Sequence, residues 1–541
     1  MKVFRLFLSL PLLLTATLLM GQVTLTSSNL PIIVINTNGV GIPDEPKIAA
    51  SMGIINNVGS RNSLTDPFND FSGTIGIELR GSSSQMFPKK QYGIEVRDAL
   101  GNGLSVSLLG MPAESDWILS APYDDKSLIR DALAYHLGLQ MGRYAPRTRF
   151  CELVLNNSYM GIYVLTEKIK RDKNRVNVHK MSNTDVAGDA LTGGYLLKID
   201  KNSGNPTDGW TSSHYPYYVT SGQTIYIMHD YPDGAHIVQA QRNYIQQFVG
   251  EFEDVLAGPD FKNPTTGYNK YIDVDSFIDY FLMQEVSKNP DSYRLSTYFH
   301  KFRDSDGGKL AMGPIWDFNL GFGDVDYCTQ GNPEGFVYQF NQICSQDFWL
   351  VPFWWDRLMM DDFYRNRMGL RWSALREGKF STASLHAYVD SVTTVLKKEA
   401  VQRNFAVWPV LGQYVWPNYY VGATYDAEVQ WLKNWITDRM TWLDRNLPKA
   451  ITGLENTNSD VQVFPNPSQG HLTVQYALKS AGQVRIQWSD AAGRMISDDS
   501  FAHEGPGQFQ QQYVMPAPGW YVYKLMLPDG NLVTGKLIRA N

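Results

Sequence analysis

The chain has 541 residues, more than a single core accommodates, so two to four domains are expected. Its 43% hydrophobic and 19% charged residues are those of an ordinary globular protein, and a net charge of −6 leaves no basic footprint, which argues against nucleic acid as a partner. Three cysteines are too few for a disulfide framework and have no zinc-site spacing. Cys328 and Cys344 can close a small loop in an oxidising compartment, leaving Cys151 free and buried. The aromatic share of 13% suits a secreted protein that meets carbohydrate or peptide, and thick cores account for the same number.

Residues Met1 to Gly21 carry Lys2 and Arg5, then an apolar run from Leu6 to Met20. This reads as a secretory signal peptide cleaved near Gly21, with no cysteine behind it for a lipid anchor. No later stretch approaches the eighteen or so apolar residues of a membrane helix, so no transmembrane segment is expected after cleavage.

From Gln22 to about Ile77 short β-like runs, Leu30 to Thr37 and Ile75 to Leu79, alternate with Gly, Asn and Pro turns. Residues 77–96, IELRGSSSQMFPKKQYGIEV, predict two strands joined by a Ser-rich loop. A period of two places Lys90, Tyr92, Ile94 and Val96 on one face of the second, so Lys90 needs an anionic partner or must snorkel. Residues 116–142 pass from strand to helix, with Asp124 or Asp125 as the N-cap and Leu128, Ala132, Leu133 and Leu137 as the apolar stripe. Arg130 lies in the second turn, free to point at phosphate or to form a plain salt bridge. A hairpin turning at Asn156-Asn157 follows, and its outgoing strand ends on Glu167, which can pair Lys90 or stay exposed.

TGGYLLKID, residues 192–200, predicts another strand, and the periods over 235–256 and 274–287 are helical. The second helix leads to Asn289-Pro290-Asp291. A hairpin is expected next, with strands Leu295 to Lys301 and Leu310 to Ile315 about a polar loop at Asp304–Gly308, closing on Trp316-Asp317-Phe318. Such a hairpin presents Asp291 and Asp317 at neighbouring strand mouths. Two carboxylates so placed suit a base plus a metal ligand, as a catalytic-loop Asp and a DFG-type Asp do in protein kinases. An ordinary turn-forming Asp and a buried, hydrogen-bonded Asp would look the same. Helices dominate from about 352 to 447, giving an α+β plan with a β-rich N-terminal part and a helical lobe. A polar linker, 451–460, precedes a run of short alternating strands over 461–541, a small all-β sandwich.

Residues 22–450 resemble the CotH family of secreted atypical, spore-coat-related kinases. The stretches that carry the resemblance are IELRGSSSQMFPKKQYGIEV, SDWILSAPYDDKSLIRDALAYHL, NNSYMGIYVLTEKIKRDKNRV, TGGYLLKID and NPDSYRLSTYFHKF…GPIWDFNLGFG. The C-terminal module resembles the type IX secretion sorting domain of Bacteroidetes, through VFPNPSQG, DAAGR, PGWYVYKL and GKLIRAN. The first resemblance implies a kinase-like fold, ATP, Mg²⁺ or Mn²⁺, and transfer of the γ-phosphate to Ser or Thr of a surface or secreted protein. By position it makes Asp291 catalytic and Asp317, with Asn319, the metal residues. Lys90 and Glu167, then Arg80 and Arg130, become nucleotide contacts, with Trp316 or Phe318 flanking the base. The second implies export through the type IX machinery to the medium or the outer cell surface.

The chain departs from the kinase pattern at Ser296, where an Asn usually binds a second metal, and at Asn319, where many relatives are acidic. There is no G-x-G-x-x-G loop; Gly81-Ser82-Ser83-Ser84 is either a phosphate cover or a plain turn. A kinase-like scaffold without activity is therefore the alternative. A paired-carboxylate hydrolase acting on polysaccharide is a further one.

Overall fold

The computed structural model describes residues 24–201, 208–219, 222–449, 461–491, 493–530 and 532–539. The expected leader and the whole of the expected linker, 451–460, lie outside them. The chain divides into two compact units, up to Pro448 and from Lys449 onward.

The first unit opens with seven strands: β1 (Ile32–Asn36), β2 (Ile48–Ile55), β3 (Phe71–Arg80), β4 (Gln91–Arg97), β5 (Asp116–Ser120), β6 (Thr148–Leu155) and β7 (Ser158–Glu167). They close into a barrel in the order β1-β2-β3-β4-β5-β7-β6. Alternation drives this: Ile75 and Ile77 on β3, Tyr92, Ile94 and Val96 on β4, and Trp117 and Leu119 on β5 all enter one apolar cluster. Closure comes from β1 running parallel to β6, with Ile33 opposite Leu153. The β6–β7 hairpin turns at Asn156 and Asn157, both at positive φ (49° and 64°), as a tight hairpin turn demands. Helix α1 (Arg130–Gln140) leaves the barrel after β5.

Beyond the barrel a five-stranded sheet forms from β8 (Tyr195–Ile199), β9 (Gly209–Thr211), β10 (Tyr226–Tyr231), β11 (Thr297–Lys301) and β12 (Leu310–Met312), in the order β9-β10-β8-β11-β12. Helices α2 (Gln239–Ala257) and α3 (Val274–Ser287) interrupt it in sequence. Asp273 caps α3 by accepting from the N–H groups of Asp275 and Ser276. Every residue of α3 from Ser276 to Ser287 is buried, because the helix runs through the larger core rather than along its surface. Helices α4 (Asp362–Arg376), α5 (Thr382–Lys397), α6 (Ala400–Val407) and α7 (Tyr425–Asn446) complete the unit. Cys328 and Cys344 are disulfide-bonded, and Cys151 is free and buried.

The second unit holds β13 (Val461–Phe464), β14 (His471–Leu478), β15 (Gly482–Asp490), β16 (Met495–His503), β17 (Gly507–Val514), β18 (Gly519–Met526) and β19 (Leu532–Arg539). Sheets β13-β14-β17 and β16-β15-β18-β19 share one apolar core, so this unit is a sandwich. Strand β16 escapes a reading by alternation because none of its residues is buried; it is an edge strand. Among the described residues, no helix is long and apolar enough to cross a membrane.

Two local expectations change. Strand β4 begins at Gln91, so its alternation does not reach back to Lys90; the buried lysine is Lys89, 1% exposed. Helix α1 starts one turn later than Asp124 or Asp125 would cap. Asp125 accepts from the N–H groups of Ser127 and Arg130, closing a loop ahead of the helix.

Candidate active site

The site is assembled by loops at the ends of α3, β8 and β12 and by the start of α1. Helix α3 stops at Lys288 in a left-handed conformation (φ 45°), which turns the chain into Asn289. The Asn289 side chain then joins both acidic segments. Its Oδ1 accepts from the N–H of Asp291 at 3.2 Å, and its Nδ2 donates to the carbonyl of Asp317 at 2.7 Å. The β11–β12 hairpin, paired Phe299 to Met312 and Lys301 to Leu310, carries the chain from one loop to the other. Asp317 itself sits at φ 65°, and Tyr293 and Ser296 on the facing loop are at 69° and 47°. Left-handed non-glycine residues gathered around a cleft are strain that the surrounding bonds must hold. From α1, Tyr135 accepts from the N–H of Asp317 (3.2 Å) and Asp131 from the N–H of Phe318 (2.6 Å).

Negative charge dominates the cleft. The Asp317 side chain opens onto solvent, yet the protein around it displaces enough water to push its carboxyl up to about 6, reinforced by the charge of Asp291 against a countereffect from Arg80. Burial likewise raises Asp291, whose Oδ1 accepts from Arg294 at 3.1 Å and which also feels Lys201 and Asp200. Asp131 rises to about 8, through burial and then the neighbouring Asp317. Asp124 rises to about 6 through burial, offset by a bond from Asn319 Nδ2 at 2.7 Å. The carboxylate of Asp317 accepts no hydrogen bond from any described residue, and carboxylate and amide oxygens are the donors a hard divalent cation takes. Among the described residues no three His, Cys, Asp or Glu side chains stand ready to close a shell by themselves. The donor chemistry therefore fits a cation that completes its shell with other oxygens, such as water or phosphate.

Residues 77–443 match the family model described as CotH kinase protein, and residues 462–539 match the secretion system C-terminal sorting domain. The chain belongs to the CotH kinase protein family. No curated protein matches it. The β-rich start, the helical lobe and the all-β C-terminal unit of this CotH-family chain agree with the α+β reading of the sequence. The sorting domain implies the type IX secretion machinery and export to the outer surface.

The expected site residues of the CotH-family domain are placed unequally. Asp291 and Asp317 come together, tied through Asn289. Arg80 lies at the end of β3 with its guanidinium 5.0 Å from the centre of the Trp316 ring, close enough to act on Asp317. Lys90 donates to the carbonyl of Gln85 at 2.5 Å. Glu167 does not pair with it: Glu167 is fully buried and binds Arg147 at 2.9 Å. Arg130 is also buried, pinned by Asp125 at 2.5 Å and the Gly321 carbonyl at 3.1 Å, so it holds α1 to the loop after Asp317. Trp316 is buried and spends its ring on Tyr135 (5.8 Å, stacked) and Arg80, and Phe318 is fully buried, so neither has a free face for a base. Sequence reasoning gave no site role to Asn289, Asp124, Asp131 or the Asp200-Lys201 pair. Each lies inside or beside a stretch that carried the resemblance, yet none has a spacing that marks it, because their partners are distant in sequence.

Proposed function

We propose that this CotH-family chain is an exported atypical protein kinase that moves the γ-phosphate of ATP to Ser or Thr of a surface or secreted protein. The observation that carries the reading is the Asn289 clamp, which presents Asp291 and Asp317 together from two loops of one hairpin. Within it, Asp291 receives the acceptor hydroxyl's proton. Burial raises its carboxyl, making it a better base, while the ion pair with Arg294 fixes its direction. Asp317, with the amide oxygen of Asn319, would hold Mg²⁺ or Mn²⁺, which when bound neutralises phosphate charge. Arg80 takes the phosphate-facing role in place of Lys90, being the cation next to Asp317. Asp131 and Tyr135 hold the backbone that carries Asp317. Because phosphoryl transfer leaves little covalent work to the protein, this positioning supplies most of the rate. The barrel and the helical lobe then serve as the two lobes of a kinase-like fold.

The test titrates ATP with Mn²⁺ or Mg²⁺ by calorimetry and follows γ-phosphate label, for the mature chain and its Asp317→Ala and Asp291→Asn variants. Metal-dependent binding that vanishes in Asp317→Ala, with label transfer lost in Asp291→Asn while binding persists, supports the assignment. Binding retained in Asp317→Ala, or turnover retained in Asp291→Asn, removes that residue from the mechanism. Absence of nucleotide binding in the unaltered chain would leave a scaffold protein.

A further inference from the structure

A cavity of about 330 Å³ lies away from the acidic cleft, between the end of α1, the start of α3 and the outer edge of the β11–β12 hairpin. It is within the size range of small-molecule sites. Three methionines, Met141, Met283 and Met312, line it together with the rings of Tyr280 and Phe302. Thioethers are adaptable and pack well against aromatic rings, so this lining favours an aromatic body.

The wall offers one unfinished polar group, His300. Arg175 offers nothing to a ligand: the side chain is 3% exposed, its Nη1 donates to the carbonyls of Asp116 (2.8 Å) and Lys168 (2.7 Å) with Glu114 at 3.7 Å, and its Nη2 is sealed off from the cavity. His300 contacts the Gly313 carbonyl through Nδ1 at 3.0 Å, which assigns the proton to Nδ1 and leaves Nε2 as an acceptor. Burial lowers this imidazole to about 4, so it is neutral at physiological pH. The charges in the wall cancel: Arg143 pairs with Asp279 at 2.8 Å and with Asp273 at 3.3 Å. Arg175 has Glu114 and Glu167 beside it, so an ionic ligand would meet no unpaired counter-charge.

We propose that this cavity is a ligand site for a compact, uncharged aromatic molecule bearing an N–H or O–H donor. The donor is for His300 Nε2, and the ring packs among Met141, Met283 and Met312. The site stands apart from the chemistry assigned to Asp291 and Asp317. Ile315, two residues before Asp317 in the chain, lines it, as does Gly138 of α1. A Cβ on Gly138 would lie 2.9 Å from Ile315 Cδ1, so glycine is what allows this approach.

Benzamide is the probe, titrated into the mature full-length chain carrying ¹³C-methyl methionine and followed by NMR. The expected result is a saturable shift of the Met141, Met283 and Met312 methyl signals, with the other methionines unmoved. N,N-dimethylbenzamide, which keeps the oxygen but lacks the donor, should bind about fivefold to tenfold more weakly, as should benzamide to the His300→Phe variant. Benzoate should bind no better than benzamide. No saturable shift, or shifts confined to other methionines, overturns the site. Equal binding of the two amides to the unaltered chain overturns the recognition by His300 whether or not the variant folds, and tighter binding of benzoate overturns the preference for an uncharged ligand.

Discussion

Asn289 is 2% exposed, and its amide serves backbone groups of both acidic loops. Truncating it leaves the Asp291 N–H and the Asp317 carbonyl without partners, at a cost of about 2 kcal/mol. Asn289→Ala should therefore lower the urea midpoint and reduce the proposed phosphoryl transfer together, whereas a lost rate at unchanged stability would mean the side chain acts directly in the chemistry. Asp317 behaves differently. Its carboxyl is raised to about 6 in the fold against about 4 in the unfolded chain, so across that window the folded state holds the extra proton. Stability accordingly falls as pH rises from about 4 to 6. Asp317→Asn removes the penalty. In the absence of divalent cations its melting temperature should exceed the parent's by about 1–2 °C at pH 7.5, a modest gain because the group faces solvent, and match it near pH 4. A variant less stable at pH 7.5 would contradict the crowding of like charge. Lys90, expected on the apolar face of a strand, sits outside the strand whose period was used to place it. Alternation is a property of paired backbone and stops where pairing stops.

At the level of elements, Lys89 ties the barrel to the helical lobe. Its amine, fully enclosed, donates to the carbonyls of Pro122 and Ile162 and to Asn404 Oδ1 on α6, while Asn404 also accepts from the N–H of Ile162. Burial lowers Lys89 to about 7 against about 10.4 unfolded. Between those values the unfolded chain binds the extra proton, so this group makes stability rise with pH from about 7 to 10. Lys89→Met should flatten that rise, which denaturant titrations at pH 7 and 9.5 would measure; an unchanged slope would place the dependence elsewhere. Helix α3 and the β11–β12 hairpin were readable because the helical period and the polar loop at Asp304–Gly308 are local signals. The closure of β1 onto β6 was not. That pairing joins residues more than a hundred positions apart, and nothing in either strand's pattern names its neighbour.

For the whole molecule, the two units have separate apolar cores. A chain ending at Pro448 should therefore keep the melting temperature of the first unit; a fall of several degrees would mean that the C-terminal unit supports it. The boundary was legible because the linker's composition changes sharply and the strands beyond it alternate. Export, too, could be read from the C-terminal stretches, and the sorting-domain match bears it out.

The sequence alone determined the family, the α+β plan, the two-unit division and the hairpin that bears Asp291 and Asp317, since each rests on short-range pattern or on stretches recognisable one at a time. Only the tertiary structure decided which charges share the cleft. It brought Arg80, Asp131, Asp124 and the Asp200-Lys201 pair towards Asp317 and Asp291, and it withdrew Glu167 and Arg130 into ion pairs of the interior. The physical reason is range. Periodicity and capping act over a few residues, whereas burial and Coulomb interaction depend on distances in space that the closed barrel and the buried helix α3 impose.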